Sequence, residues 1–230
     1  MAVIPLSDAS RRPANFPLIT LSIIILNVIV FILELINGEP FVTRWSVVPA
    51  DISAGRHLET IITAMFMHAS WLHIIGNMVF LWAFGPEIED AMGRWRYAIY
   101  YLVGGLVAML AQVAFAPHSM VPNLGASGAI AAVMGGFLVT FPRDQIRSLL
   151  VIFVFVRVAY ISAAFLIGVW FLLQLFSIGS IATAQAGSQS GGVAYLAHVG
   201  GFIFGAVTAR LFEDPKRIAR EPLTGGSPYL

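Results

Sequence analysis

Among the 230 residues, Ser127, His198, His73 and Asn77 are the ones whose types and surroundings could support nucleophilic chemistry. Ser127 lies in Asn123-Leu-Gly-Ala-Ser-Gly-Ala-Ile130. Gly125 and Gly128 permit a tight entry of the chain and close backbone approach, and a helix starting here offers unpaired N–H groups in its first turn. A serine at that point has a nucleophilic oxygen beside donors for a developing oxyanion. Taken alone, the run reads better as an N-cap serine in a helix-packing stretch of small residues.

His198 changes that balance. In Ala197-His198-Val199-Gly200-Gly201-Phe202-Ile203-Phe204-Gly205, the glycines three and seven residues on share the histidine's helical face and strip it of bulk. Ser127, Ala131 and Gly135 make a similar small-residue face on another helix. Two such faces let the backbones approach until Ser127 Oγ reaches a histidine nitrogen at about 2.6 to 3.2 Å. Without Ser127, His198 would read as a histidine bonding across a bundle.

The third element is His68-Ala-Ser-Trp-Leu-His73-Ile-Ile-Gly-Asn77-Met78. His73 and Asn77 are four apart, hence on one helical face, and both carry N–H donors suited to a carbonyl oxygen gaining charge. His68 precedes the helix and either orders the entering loop or reinforces the donor group. No acidic residue is expected at this depth, so a Ser127–His198 dyad is simpler than a triad. His198 would take the Ser127 proton during attack on a carbonyl and return it to the leaving amine, while Asn77, His73 and the Ser127 backbone N–H hold the oxyanion. A zinc site on His68, His73 and His198 ranks low, because His-Glu-x-x-His is absent and no carboxylate accompanies them. No metal and no cofactor is implied.

These residues need helices to place them, and the composition states in which medium. Hydrophobic residues make up 58 % and charged residues 11 % of the chain, against about 25 % charged in ordinary soluble domains. The charges cluster between long apolar runs, which describes an all-α polytopic membrane protein in contact with a lipid bilayer. With 13 Lys+Arg against 12 Asp+Glu there is no basic face for nucleic acid, and zero cysteines exclude disulfides and thiol nucleophiles. Arg11 and Arg12 precede the first apolar run, yet that run continues to Leu35 without a small-residue cleavage pattern and reads as a retained helix.

Six spans are expected: Phe16–Leu35, Leu72–Phe84, Tyr97–Phe115, Ser127–Phe141, Ala159–Ser177 and Val193–Leu211. The second and fourth are shorter than the roughly 20 residues a crossing needs. A fourth helix starting about 7 Å below the surface, level with His198, covers the rest of the bilayer in about 21 Å. The Asn37–Trp71 connection is a large outer loop that packs on the bundle or lies in the interface, and Gly187–Gly192 is a short loop segment. Residues 1–15 and 212–230 are tails, flanking a membrane domain at 16–211, with no appended module.

Charge placement gives the orientation. Arg11, Arg12, Arg94, Arg96, Arg143, Arg147, Arg210, Lys216, Arg217 and Arg220 fall on one side of these spans, Arg44 and Arg56 opposite, and Arg157 near a boundary, where it snorkels. Both termini are therefore expected to be cytoplasmic.

With these motifs the sequence resembles the rhomboid family of intramembrane serine proteases. Gly125-Ala126-Ser127-Gly128, Ala197-His198-Val199-Gly200-Gly201 and His68-x4-His73-x3-Asn77-Met78 carry the resemblance, which covers about Pro17 to Leu211. It implies a six-transmembrane-helix rhomboid-like bundle, with Ser127 as nucleophile, His198 as base and His73 and Asn77 lining the oxyanion site. It also implies transmembrane protein substrates, cut at small residues after lateral entry near span five. There Phe165, Trp170, Phe171 and Phe176 are gate candidates or ordinary lipid-facing and core aromatics. Gly85, Glu89 and Gly93 look like the family's cytoplasmic turn, which Glu89 would secure by accepting backbone or arginine hydrogen bonds.

Two departures stand out. The outer loop reads His57-Leu-Glu59-Thr60-Ile61 where many relatives carry Trp-Arg, and Ala131 stands where some place a tyrosine against the histidine ring. Ala131 leaves His198 less restrained unless Phe202 or another aromatic fills that volume. A noncatalytic membrane scaffold is the competing reading, and retention of Ser127, His198 and Asn77 favours the protease. A bacterial inner membrane is the expected location, with an organellar membrane as the alternative.

Overall fold

The computed structural model describes residues 2–183 and 195–218. The chain opens with strand β1 (Ala2–Asp8), followed by helices α1 (Leu18–Asn37), α2 (Trp71–Met92), α3 (Arg94–Phe115) and α4 (Ser127–Thr140). An antiparallel hairpin of β2 (Gln145–Ile152) and β3 (Phe155–Ser162) comes next, then α5 (Ala163–Thr183) and α6 (Tyr195–Phe212). Among the described residues three helices, α1, α3 and α6, are long and apolar enough to cross a membrane, and α2 meets the same measure together with the Thr60–Phe66 segment before it, from which it is bent by 88°. The apolar stretches Ser127–Thr140 and Ala163–Phe176 are shorter.

The first helix shows how sequence becomes packing. Thr20, Ile23, Asn27, Phe31 and Glu34 recur every three or four residues and form its buried stripe. Ile25, Ile29 and Ile36 on its other faces are exposed, as expected of a helix meeting lipid rather than water. Its N-terminus leaves backbone donors that the helix itself cannot satisfy. The Glu89 carboxylate takes Ile19 N at 2.9 Å, Thr20 N at 2.7 Å and Thr20 Oγ1 at 2.8 Å, and Asp90 takes Ala14 N, Asn15 N and Asn15 Nδ2. Glu89 thus answers orphan N–H groups and the positive end of the helix dipole, while Asp90 holds the segment that leads into the helix.

That arrangement corrects the short second span. The apolar run stops at Phe84, but α2 continues through Pro86 to Met92, with Glu87, Glu89 and Asp90 buried. The latter two are satisfied inside the protein, so the helix does not end where the hydropathy falls. Gly93, at φ +81°, then closes α2 by donating to Glu89 O at 2.8 Å, and α3 starts at the next residue. Glu89 secures this turn through backbone partners on α1, whereas Arg96 Nη1 goes to the Glu213 carbonyl.

The bundle centres on α4, buried from Gly128 to Phe137 and packed most extensively on α6 and then α3. The hydroxyl of Tyr100, on α3, lies 2.9 Å from the carbonyls of both Ala132 on α4 and Gly205 on α6. It ties three helices at one point.

The expectation of an all-α chain is corrected by the three-stranded sheet. β2 is its middle strand, pairing Asp8↔Ile146 through Ala2↔Val151 on one side and Gln145↔Ser162 through Ile152↔Phe155 on the other. Residues Ala159–Ser162, expected to open the fifth span, belong to β3, and Arg157 sits on that strand opposite Leu150 rather than at a helix boundary. A continuous apolar run does not by itself separate strand from helix. The two-residue connection Phe153–Val154 also lacks the Gly or Asn that marks a tight hairpin, Phe153 taking φ +53° despite its side chain. The presumed tail carries β1, which packs on α2 and lines, through Pro5 and Leu6, an apolar groove shared with Leu21, Ile24 and Trp82.

The long outer connection packs on the bundle. It folds into short helices Glu39–Trp45, Pro49–Ser53 and Thr60–Thr63 and a 3-10 turn at Ala64–Phe66, burying Val47, Ile52, Met65 and Met67. Val47 and Asn123 bridge backbone to backbone, and Arg44 pairs with Glu59 at 3.2 Å in the stretch that lacks Trp-Arg. Helix α5 runs to Thr183, and Gly187–Gly192, Val193 and the tail beyond residue 218 lie outside the described residues. Before that point the tail adds one short helix, Pro215–Ile218.

Candidate active site

The chain reaches α4 through Gly125, whose φ of +134° only glycine adopts readily. A Cβ there would also stand 3.0 Å from the His73 ring. Ala126 occupies the N-cap position and Ser127 is the first helical residue, with no side chain capping the helix. The Ser127 hydroxyl is therefore not used as a cap, and its Oγ lies 2.7 Å from His198 Nε2 on α6.

Small residues make this contact possible. A Cβ on Gly201 would fall 2.1 Å from Gly128 O, one on Gly205 2.0 Å from Ala132 O, and one on Gly135 2.2 Å from Phe202 O. Real Cβ atoms do not survive such distances, so the two helices meet backbone to backbone, on α6 along the expected Gly201 and Gly205 and on α4 along Gly128, Ala132 and Gly135 rather than Ser127, Ala131 and Gly135. A Cβ on Gly128 would also strike Ala108 Cβ on α3, at 2.5 Å.

Helix α5 completes the histidine's surroundings. The Trp170 ring lies 5.7 Å from the His198 ring at 37°, and Tyr195 stands edge-on at 6.4 Å. Trp170 is thus the aromatic that borders the histidine in the absence of a tyrosine at Ala131, while Phe202 instead stacks on Phe171 at 4.2 Å. Of the four gate candidates, Trp170 and Phe171 pack on α6, and Phe165 and Phe176 are exposed. Sequence reasoning missed Gln174, whose Oε1 is 2.8 Å from His198 Nδ1. A signal was present, because an amide inside the apolar Ala163–Phe176 stretch needs a partner that lipid cannot provide.

On the other side, Ser70 caps α2 by accepting from His73 N at 3.2 Å, and His73 Nδ1 accepts from Ala69 N at 3.4 Å. These bonds direct the other edge of the His73 ring, Cε1 and Nε2, toward Gly125. Asn77 is buried, with Nδ2 2.9 Å from His68 Nε2, and the His68 and His73 rings meet edge to face at 5.1 Å. The expectation of no acidic group at this depth is corrected by Glu34. It is buried near the end of α1, and both its oxygens lie 3.1 Å from His68 N. Hydropathy hid it, since one carboxylate barely alters the mean of so apolar a helix.

A helical bundle with these apolar faces defines an integral membrane protein, in which a serine at a helix start meets a histidine on a glycine-faced neighbour within hydrogen-bond reach. The chain belongs to the rhomboid family, whose domain model matches residues 55–214. It is similar to the "Rhomboid protease GlpG" of Yersinia pestis (strain Pestoides F), Yersinia pseudotuberculosis serotype O:3 (strain YPIII) and Yersinia enterocolitica serotype O:8 / biotype 1B, at 27 % identity over 202 residues in each case. The match takes in 88 % of this chain and 64 % of the length of those relatives.

Proposed function

We propose that this protein is an intramembrane serine endopeptidase that hydrolyses peptide bonds in or near the transmembrane segments of other membrane proteins. The carrying observation is the 2.7 Å contact between Ser127 Oγ and His198 Nε2. A carbonyl carbon of the substrate is attacked by Ser127 Oγ as the hydroxyl proton passes to His198 Nε2. His198 then gives that proton to the departing amine as the C–N bond breaks. Water, deprotonated by the same nitrogen, cleaves the acyl-enzyme and restores Ser127. Asn77, His73 and the Ser127 backbone N–H hold the negative oxygen in both halves. His68, bonded to Asn77 and fixed by Glu34, supports that donor group.

The six helices α1 to α6 serve as the six spans, with both termini cytoplasmic, as the placement of Arg11, Arg94, Arg143 and Arg210 supports. A bacterial inner membrane suits this form, and the Yersinia relatives favour it.

Cleavage of a transmembrane substrate by wild type, S127A and H198A, together with fluorophosphonate labelling, tests the reading. Turnover and an adduct in the wild type alone are expected. An equally active S127A enzyme would reject Ser127 as the nucleophile, and a folded wild type with neither turnover nor an adduct on Ser127 would replace the protease with a noncatalytic scaffold.

A further inference from the structure

We propose that Gln174 is the positioning residue that holds His198 in the tautomer and orientation needed to accept the Ser127 proton, a role that rests on the serine-protease reading above. Two distances define the relay: Gln174 Oε1 to His198 Nδ1, 2.8 Å, and His198 Nε2 to Ser127 Oγ, 2.7 Å. The glutamine amide is itself oriented, because its Nε2 donates to the Trp170 carbonyl one turn earlier on α5, at 3.2 Å. That leaves Oε1 as the atom facing the imidazole.

A carbonyl oxygen can only accept, so the proton of neutral His198 sits on Nδ1. Nε2 then presents its lone pair to the serine hydroxyl, which is the arrangement a general base requires. As the imidazole gains the Ser127 proton, the amide dipole remains aimed at Nδ1–H and stabilises the cation that forms. Carboxylates do this in triads. Here a neutral amide does it, from a helix that supplies neither the nucleophile nor the base.

The surroundings show why α5 must perform this task. Ala131, one helical turn after Ser127 on α4, has only a methyl group and cannot accept a proton. Trp170 lies along the imidazole at 5.7 Å while Gln174 takes the ring edge. Both restraints come from one helix. The base is therefore competent only while α5 is seated on α6, and movement of α5 away from it releases His198 as well as opening the bundle.

The test compares full-length wild type, Gln174→Leu and Gln174→Glu in detergent micelles. It uses turnover of a peptide substrate, fluorophosphonate labelling of Ser127, and the 15N resonances of His198 with histidine-labelled protein. Q174L is expected to lower kcat about 10- to 100-fold, the worth of a hydrogen bond to a group becoming charged, with KM little changed. Its His198 ring should lose the exclusive Nδ1–H form. Q174E keeps an acceptor at the same place and should recover most of the turnover with Nδ1 protonated. Wild-type turnover in Q174L, retention of the Nδ1 proton there, or equal impairment in Q174E overturns the role. A folded wild type with no Ser127-dependent reaction overturns the protease reading instead. The resonances, which need no turnover, report separately whether Gln174 sets the tautomer.

Discussion

Gly201 stands so close to Gly128 that a Cβ on the former would lie 2.1 Å from the latter's carbonyl oxygen. His198 is one turn before Gly201 and Ser127 is next to Gly128, so the contact that sets the helix separation also sets the reach between the Ser127 and His198 side chains. Helix spacing and site geometry are one constraint.

Gly201→Ala must therefore push α6 from α4. Overpacking of this kind costs about 1–3 kcal/mol, and a displacement of about 1 Å at a reacting pair can cost about 10²-fold in rate. The variant should unfold at lower temperature and lose most turnover while His198 and Ser127 are both intact. Unchanged stability together with unchanged kcat would refute this link between spacing and chemistry.

Asn77→Ala removes one of the proposed oxyanion donors and also the partner of His68 Nε2. Loss of a single such donor elsewhere lowers kcat by about 10²–10³. A fall near the lower end is expected, because His73 and the Ser127 N–H remain. Steady-state kinetics on a peptide should show it mainly in kcat; a change confined to KM would assign Asn77 to substrate binding.

Glu89→Ala leaves the first turn of α1 without the acceptor for Ile19 N, Thr20 N and Thr20 Oγ1. Stranded buried donors cost about 1–3 kcal/mol. Thermal unfolding should shift downward, and Glu89→Gln, which keeps one accepting oxygen, should fall between. Equal midpoints for all three proteins would contradict the capping account.

The sheet has its own pH dependence. Burial, aided by the neighbouring Asp144 charge, raises the Asp8 carboxyl to about 7 from its ordinary 3.8, against backbone bonds from Ser10 and Arg11 that pull it down. Between those two values the docked strand holds a proton that the released strand gives up. Docking is thus strongest at or below the lower value and weakens as pH rises to the upper one, with no further loss above it. Hydrogen exchange of the β1 amides, corrected for the intrinsic rate, should show protection falling across that interval. Asp8→Asn should flatten the dependence, and a wild-type profile rising with pH would reverse the assigned sign.

Much of the bundle was legible because the signals are local. The apolar run of α1 and the small-residue positions Gly201, Gly205 and Gly135 follow from hydropathy, helical period and residue size within a few turns, and the turn at Gly93 was implied by the family resemblance. Ser127, His198, His73 and Asn77 stood out as polar groups in apolar surroundings. Glu89 was expected to serve its turn with backbone or arginine partners, and the structure supplies the particular ones, Ile19 and Thr20. The hairpin was not legible, since Phe153 turns the chain where no glycine or asparagine marks the reversal.

By itself, then, the sequence determined that the chain lives in a bilayer, roughly where its helices run, and which side chains are costly enough there to demand a purpose. Only the tertiary structure decided the partners of those groups: Gln174 for His198, Glu34 for the backbone of His68, and β1 for a strand more than 130 residues away. The reason is geometric. Helical period fixes which residues share a face, whereas the partner across a gap depends on the rotation and depth of a second helix, and those are set by close contacts distributed over the whole bundle.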